Sequence, residues 1–170
     1  MTIFNYKTLF INDVTIDADL NITGDISYNK TGTKIRKTDD QTITNGEVWN
    51  NITWNSEDFD FGNMHSTTTN NKTITIIKDG YYLVSYHLKV ESNDKTSYNS
   101  RILKNGIMLE TACDTSVGSK ESSLLTLGNT GNIFYLENGD ELVLQINHDD
   151  GGGTADLQSL DCYFLVYEQL

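Results

Sequence analysis

An all-β fold, a sandwich or closed barrel of many short strands, is predicted from three observations. Apolar residues recur with period two along nearly the whole chain, the spacing of an extended strand with one dry face. No segment reads convincingly as a helix. The gaps between the alternating runs hold Gly, Asn, Asp, Ser and Thr. With no Pro present, tight turns rest on Asn-Gly at 45–46, 105–106 and 138–139 and on Asp-Gly at 79–80.

The longest run comes first. In residues 13–28, DVTIDADLNITGDISY, the positions Val14, Ile16, Ala18, Leu20, Ile22, Gly24, Ile26 and Tyr28 share one side, and the other side is polar throughout. Ordinary strands have about 5–6 residues, so this one-sided arm needs a surface for its dry face. Three copies wound about a common axis would supply it, which makes Val14, Ile16, Leu20 and Ile22 candidate trimer contacts. The competing arrangement pairs the arm onto its own sandwich. Residues 29–47, NKTGTKIRKTDDQTITNGE, are polar and turn-rich and read as a connector. Residues 48–170 have the length of a compact domain.

Within that domain, strands are predicted at 48–54, 59–62, 72–78, 81–90, 98–105, 107–113, 122–129, 140–147 and 159–169, a spacing of about ten residues that suits a sandwich. In 81–90, Tyr82, Val84, Tyr86, Leu88 and Val90 share the inner side. In 140–147, Leu142, Leu144 and Ile146 do, with Val143 as the exception. The closing strand is apolar on both sides: Leu160, Cys162, Phe164 and Val166 on one, Tyr163, Leu165 and Tyr167 on the other. A two-layer sandwich covers only one face of each strand. The row Tyr163, Leu165 and Tyr167 is therefore a second candidate subunit interface.

Several of these segments, in order, resemble the globular head shared by complement C1q and the tumour necrosis factors. KTITIIKDGYYLVSYHLKV is similar to the family's Gly-x-Tyr-x-x-x-Tyr stretch at Gly80, Tyr82 and Tyr86. RILKNGIML is similar to its hairpin at Asn105–Gly106. YLENGDELVLQI is similar to its Leu-x-x-Gly-Asp-x-Val-x-Leu signature at Leu136, Gly139, Asp140, Leu142 and Leu144. The resemblance covers about 48–170 and implies a C1q/TNF-like jelly roll of about ten strands that forms homotrimers. Two features depart from the family: the closing strand lacks the Ser-Gly-Phe of many members, and there is no collagen-like stalk. In the stalk's place stands the alternating arm, which resembles the attachment segments of bacteriophage and other viral fibre proteins.

Charge and motifs narrow the function. Twelve Lys and Arg against 24 Asp and Glu give a net charge of −12, which argues against binding duplex nucleic acid through its phosphates. The first 12 residues lack a basic lead and a long apolar run, so no signal peptide is expected, and no apolar run approaches a membrane span. Cys113 and Cys162 are too few for a disulfide framework and lack metal-ligand spacing. No nucleophile or phosphate-loop motif occurs in a suitable context, so no enzyme is expected and no catalytic residue is assigned. The run NHDDGGG suggests a calcium site from Asn147, Asp149 and Asp150, with calcium as the one cofactor considered. For ligand recognition the candidates are Trp49, Trp54, Asn70, Asn71 and His148.

The expected protein is a non-enzymatic virion component, of a bacteriophage in particular, made in the host cytoplasm and carried on the virion surface. It would serve as a trimeric capsid decoration, head fibre or tail-fibre tip, with the arm on other virion proteins and the head toward host-surface glycans. The alternatives are a cellular carbohydrate-binding lectin module and, below that, a small polysaccharide-degrading enzyme.

Overall fold

A computed structural model describes residues 30–44, 48–92, 97–109, 115–118, 123–129, 131–149, 155–159 and 161–169. The arm 1–28, with Val14, Ile16, Leu20 and Ile22, lies outside the described residues, as does Asp150. The described residues form fourteen strands and no helix. These are β1 (Gly32–Arg36), β2 (Gln41–Ile43), β3 (Asn50–Asn51), β4 (Ser56–Phe61), β5 (Thr73–Thr75), β6 (Gly80–Ser92) and β7 (Ser97–Lys104). They continue with β8 (Ile107–Met108), β9 (Thr115–Gly118), β10 (Ser123–Gly128), β11 (Asn132–Leu136), β12 (Glu141–Asp149), β13 (Ala155–Leu157) and β14 (Tyr163–Glu168).

All pairings are antiparallel, in two sheets. The eight-stranded sheet runs β2-β13-β6-β14-β1-β4, with β10 and β11 on the other edge of β6. The six-stranded sheet runs β3-β12-β7-β8, with β5 also on β12 and β9 also on β7.

Period-two alternation places the core between them. Tyr82, Val84, Tyr86, Leu88 and Val90 of β6 are all buried, and so are Phe164 and Val166 of β14, with Cys162 just before it. They face Leu142, Leu144 and Ile146 of β12 and Tyr98 and Ile102 of β7, with Trp54 beside Phe164 at 6.2 Å between ring centroids. One polar pair spans the core: the Tyr86 hydroxyl lies 2.8 Å from Ser100 Oγ, joining the two sheets.

Residues 29–47 are more than a connector, because β1 occupies a central place between β14 and β4. Its inward side chains are Thr33 and Ile35, flanked by Thr31 and Lys37, and all four are buried. Only Ile35 is apolar. Thr33 donates to the Phe59 carbonyl at 3.2 Å, and Lys37 Nζ donates to the Thr53 carbonyl at 2.9 Å and to Gln41 Oε1 at 3.3 Å. Burial pushes the Lys37 ammonium pKa down, against the opposing pull of Asp39. A strand whose inner polar groups are satisfied in this way leaves almost no hydrophobic trace in the sequence.

The Asn105–Gly106 hairpin between β7 and β8 forms as its dipeptide predicts, with φ of 52° and 80° at the two positions. Its Asn105 side chain also fastens the turn before β12. Asn105 Nδ2 donates to Asp140 Oδ1 at 2.7 Å, Lys104 Nζ lies 2.7 Å from Oδ2, and the Glu137 amide donates to the same oxygen at 2.8 Å. Gly139 sits at φ 90°, the left-handed conformation that favours glycine. The Gly-Asp pair in the sequence is thus a turn residue followed by a buried staple.

Candidate functional site

The outer face of the eight-stranded sheet is divided into an aromatic end and a charged end. β14 crosses both, and Tyr163, Leu165 and Tyr167 all project from it half-buried. Strand register sets their neighbours. Tyr167 is opposite Leu83 and Gly32, Leu165 opposite Ser85 and Lys34, and Tyr163 opposite His87 and Arg36.

At the aromatic end, Phe59 meets the edge of Tyr167 at 6.1 Å and stacks on Phe61 at 5.0 Å. Gly32 makes room for the Tyr167 ring, since a Cβ there would stand 2.6 Å from Tyr167 Cδ2. Across β6, Tyr81 packs edge-on against Tyr135 of β11 at 5.3 Å, and Ile133 pairs with Leu83. Tyr81 and Ile133 are each 60% exposed, Tyr135 53% and Phe61 51%. The apolar row found on the closing strand therefore extends over β4, β14, β6 and β11. Residue 30, where the described chain begins, adjoins the same end, and Lys30 Nζ lies 5.5 Å from the Tyr167 ring centre. Below the ring, Glu168 accepts hydrogen bonds from the Thr31 hydroxyl at 2.9 Å and Thr31 amide at 3.2 Å, and pairs with Lys78 at 2.6 Å.

At the charged end, an open pocket of about 330 Å³ is lined by Lys34, Arg36, His87, Asp161 and Tyr163. His87 stacks on Tyr163 at 5.9 Å, and Lys34 Nζ lies 5.1 Å from the centre of the Tyr163 ring. Asp58 pairs with Lys34 at 3.0 Å and with Arg36 Nε at 2.7 Å. Desolvation pushes the Asp58 carboxyl up, but the bonds from Lys34 and Arg36 outweigh it and hold the pKa below its ordinary value.

The residues proposed from sequence for ligand binding do not form one site. Trp54 and His148 are fully buried, so neither is available to a surface ligand, which corrects their assignment. Both follow a period-two alternation: Ile52 and Trp54, just after β3, are buried together, and His148 of β12 continues Leu142, Leu144 and Ile146. That periodicity was available in the sequence. His148 Nε2 donates to the Ile43 carbonyl at 3.0 Å, and the ring stacks on Tyr98 at 5.7 Å. Trp49 is half-buried on the opposite, six-stranded sheet, with the Arg101 guanidinium 3.9 Å from its ring centre. Asn70 is an exposed turn residue at φ 54°. The Asn71 carbonyl accepts from the Trp54 amide at 2.9 Å and lies 3.2 Å from His65 Nε2.

Of the calcium candidates, Asn147 accepts a hydrogen bond from Asn99 Nδ2 at 3.1 Å. Asp150 is not described. Among the described residues no group of three or more His, Cys, Asp and Glu is placed to hold a metal ion. Cys162 is buried, and its thiol donates to the Gln158 carbonyl at 2.9 Å. Burial raises its pKa, as expected of a structural thiol.

Two packed antiparallel sheets with this strand order define a jelly roll of the tumour necrosis factor type. Solved structures bear out that fold. Murine APRIL at pH 5.0 matches with a TM-score of 0.57 at 9% identity, covering 82% of this chain and 99% of that chain. Eiger TNF from S. frugiperda matches with a TM-score of 0.56 at 12% identity, covering 84% and 94%. No protein-family model and no curated protein sequence matches the chain.

Proposed function

We propose that this chain is a non-enzymatic, homotrimeric jelly-roll head of a virion surface protein, joined to other virion proteins through residues 1–28. The observation that carries the self-association is the aromatic row Phe59, Phe61, Tyr167, Tyr81 and Tyr135 with Ile133, which leaves large apolar side chains on an otherwise acidic protein. Burying each Tyr, Phe or Ile is worth about 1.5–3 kcal/mol. A patch of this kind, repeated in every subunit, favours a permanent assembly over a monomer. The virion role rests on the one-sided alternation of the arm in the sequence, and residue 30, where the described chain begins, adjoins the aromatic end.

Light scattering on the full chain tests the assembly and should return three times 19.1 kDa; a monomer would defeat it. Mass spectrometry of purified virions tests the location. Deleting residues 1–28 should release the head from the particle with its fold intact, whereas retained attachment would remove the docking role. A second reading, a cellular binding head, is favoured by the likeness to murine APRIL and to an Eiger TNF. Its discriminating outcome is a chain absent from particles that binds a cell-surface glycan or protein.

A further inference from the structure

We propose that the charged pocket on the eight-stranded sheet binds an oxyanion, a carboxylate or phosphate, carried on a ligand no larger than a monosaccharide. The pocket is built within one chain from β1, β6, the first residue of β14 and Asp161 just before it, at the end of the sheet face away from the aromatic row.

Two cationic donors, Arg36 and Lys34, converge there beside the His87 imidazole. Arg36 uses Nε on Asp58, and among the described residues its two terminal amino groups have no protein partner, which leaves the fork that grips an oxyanion with two parallel bonds. Lys34 gives one bond to Asp58 and keeps further N–H donors. The His87 ring is fixed by Nδ1, 2.8 Å from the Asp161 carbonyl. A carbonyl only accepts, so Nδ1 carries the hydrogen, and in the neutral ring Nε2, without a partner among the described residues, is an acceptor that suits a ligand hydroxyl rather than the oxyanion itself.

Two carboxylates stand nearby, and both are already engaged. Asp58 is shared by Lys34 and Arg36, while Asp161 lies 3.6 Å from Lys89. Lys34, Arg36 and Lys89 against Asp58 and Asp161 leave one positive charge in excess, on a protein of net charge −12. Asp161 also holds a left-handed φ of 71°, a conformation uncommon outside Gly, Asn and Asp, which presents its carbonyl to His87. The volume lies at the low end of ligand pockets, which run from about 300 to 1,000 Å³. The Tyr163 ring carries the stacked His87 imidazole and the Lys34 ammonium, which fixes the two groups relative to each other.

The test titrates the full chain, at low salt, with glucuronate, glucose and inorganic phosphate while following the imidazole nitrogen resonances of His87. Saturable shifts with glucuronate or phosphate but not with glucose are expected. A stronger response to glucuronate assigns a carboxylate sugar, and a stronger response to phosphate assigns a phosphate group. Arg36→Ala and Lys34→Ala should each weaken binding about tenfold. Arg36→Lys, which keeps the charge and the Asp58 pair, should lose less. Equal response to glucose, no saturable shift in the unmodified chain, or affinity unchanged in folded Arg36→Ala overturns the proposal. Light scattering on the same samples reports the trimer separately, so failure of either idea is seen without the other.

Discussion

Asn105 Nδ2 donates a 2.7 Å hydrogen bond to Asp140 Oδ1, tying the hairpin after β7 to the turn before β12. The carboxylate is only 5% exposed and also serves Lys104 and the Glu137 amide. Removing it would break all three bonds at once and loosen both turns, although the donors on Asn105, Glu137 and Lys104 still reach water. Asp140→Ala is expected to cost about 3 kcal/mol in urea unfolding. Asn105→Ala should cost about 2 kcal/mol, from the lost bond and from forcing Ala into a left-handed turn.

The aromatic end of the sheet face is expected to control association without controlling folding. Tyr81 and Tyr135 touch each other and solvent, so replacing both with Ser leaves the core untouched. The double variant should keep its circular dichroism spectrum while its light-scattering mass falls toward that of one chain. An unchanged mass would place the subunit contact elsewhere.

Acid should weaken the fold in a window set by Asp58, Asp140 and Glu168. In each, desolvation pushes the carboxyl up but hydrogen bonds override it: from Lys34 and Arg36, from Lys104 with the Glu137 amide and Asn105, and from Lys78 with Thr31. Folded values below unfolded ones give stability that is complete above the ordinary carboxylate range. That stability is lost as pH falls through the lower folded values. The urea midpoint should therefore decline below about pH 5. Glu168→Gln should flatten part of that decline, which checks the assignment.

Trp54 should behave as a core residue. Trp54→Ala is expected to cost about 3–5 kcal/mol through the cavity it leaves. Trp54→Phe should cost clearly less, since Nε1 is buried without a partner among the described residues and its removal leaves no orphaned donor. Neither substitution, in folded protein, should change binding of any surface ligand.

The sequence was most legible where burial is apolar and one-sided. β6, β12 and β14 fill their inward positions with large apolar side chains, and alternation alone reads their faces. β1 escaped notice because its inner side is Thr33, Ile35 and a buried Lys37, made tolerable by hydrogen bonds that only the folded chain supplies. β11 and β13 are short, and β11 has a lone fully buried residue, Leu136. The outer row of β14 could be named from sequence, but its extension through Phe61, Tyr81, Ile133 and Tyr135 depends on register between strands. The charged pocket was out of reach for the same reason: Lys34, Arg36, His87 and Tyr163 come from distant segments, and only the pairing of β1, β6 and β14 brings them together.

The central place of β1 also bears on how the molecule is made. Ile35 sits in register with Phe164, so the first described strand finds one of its two neighbours only after residues 163–168 have been synthesised. A nascent chain stalled before that point leaves the edges of β1 and β6 that β14 would join open, both ready to pair with another chain. Loop closure over so long a separation is slow, and overcrowded expression should yield aggregates unless a chaperone shields these edges until the closing strand arrives.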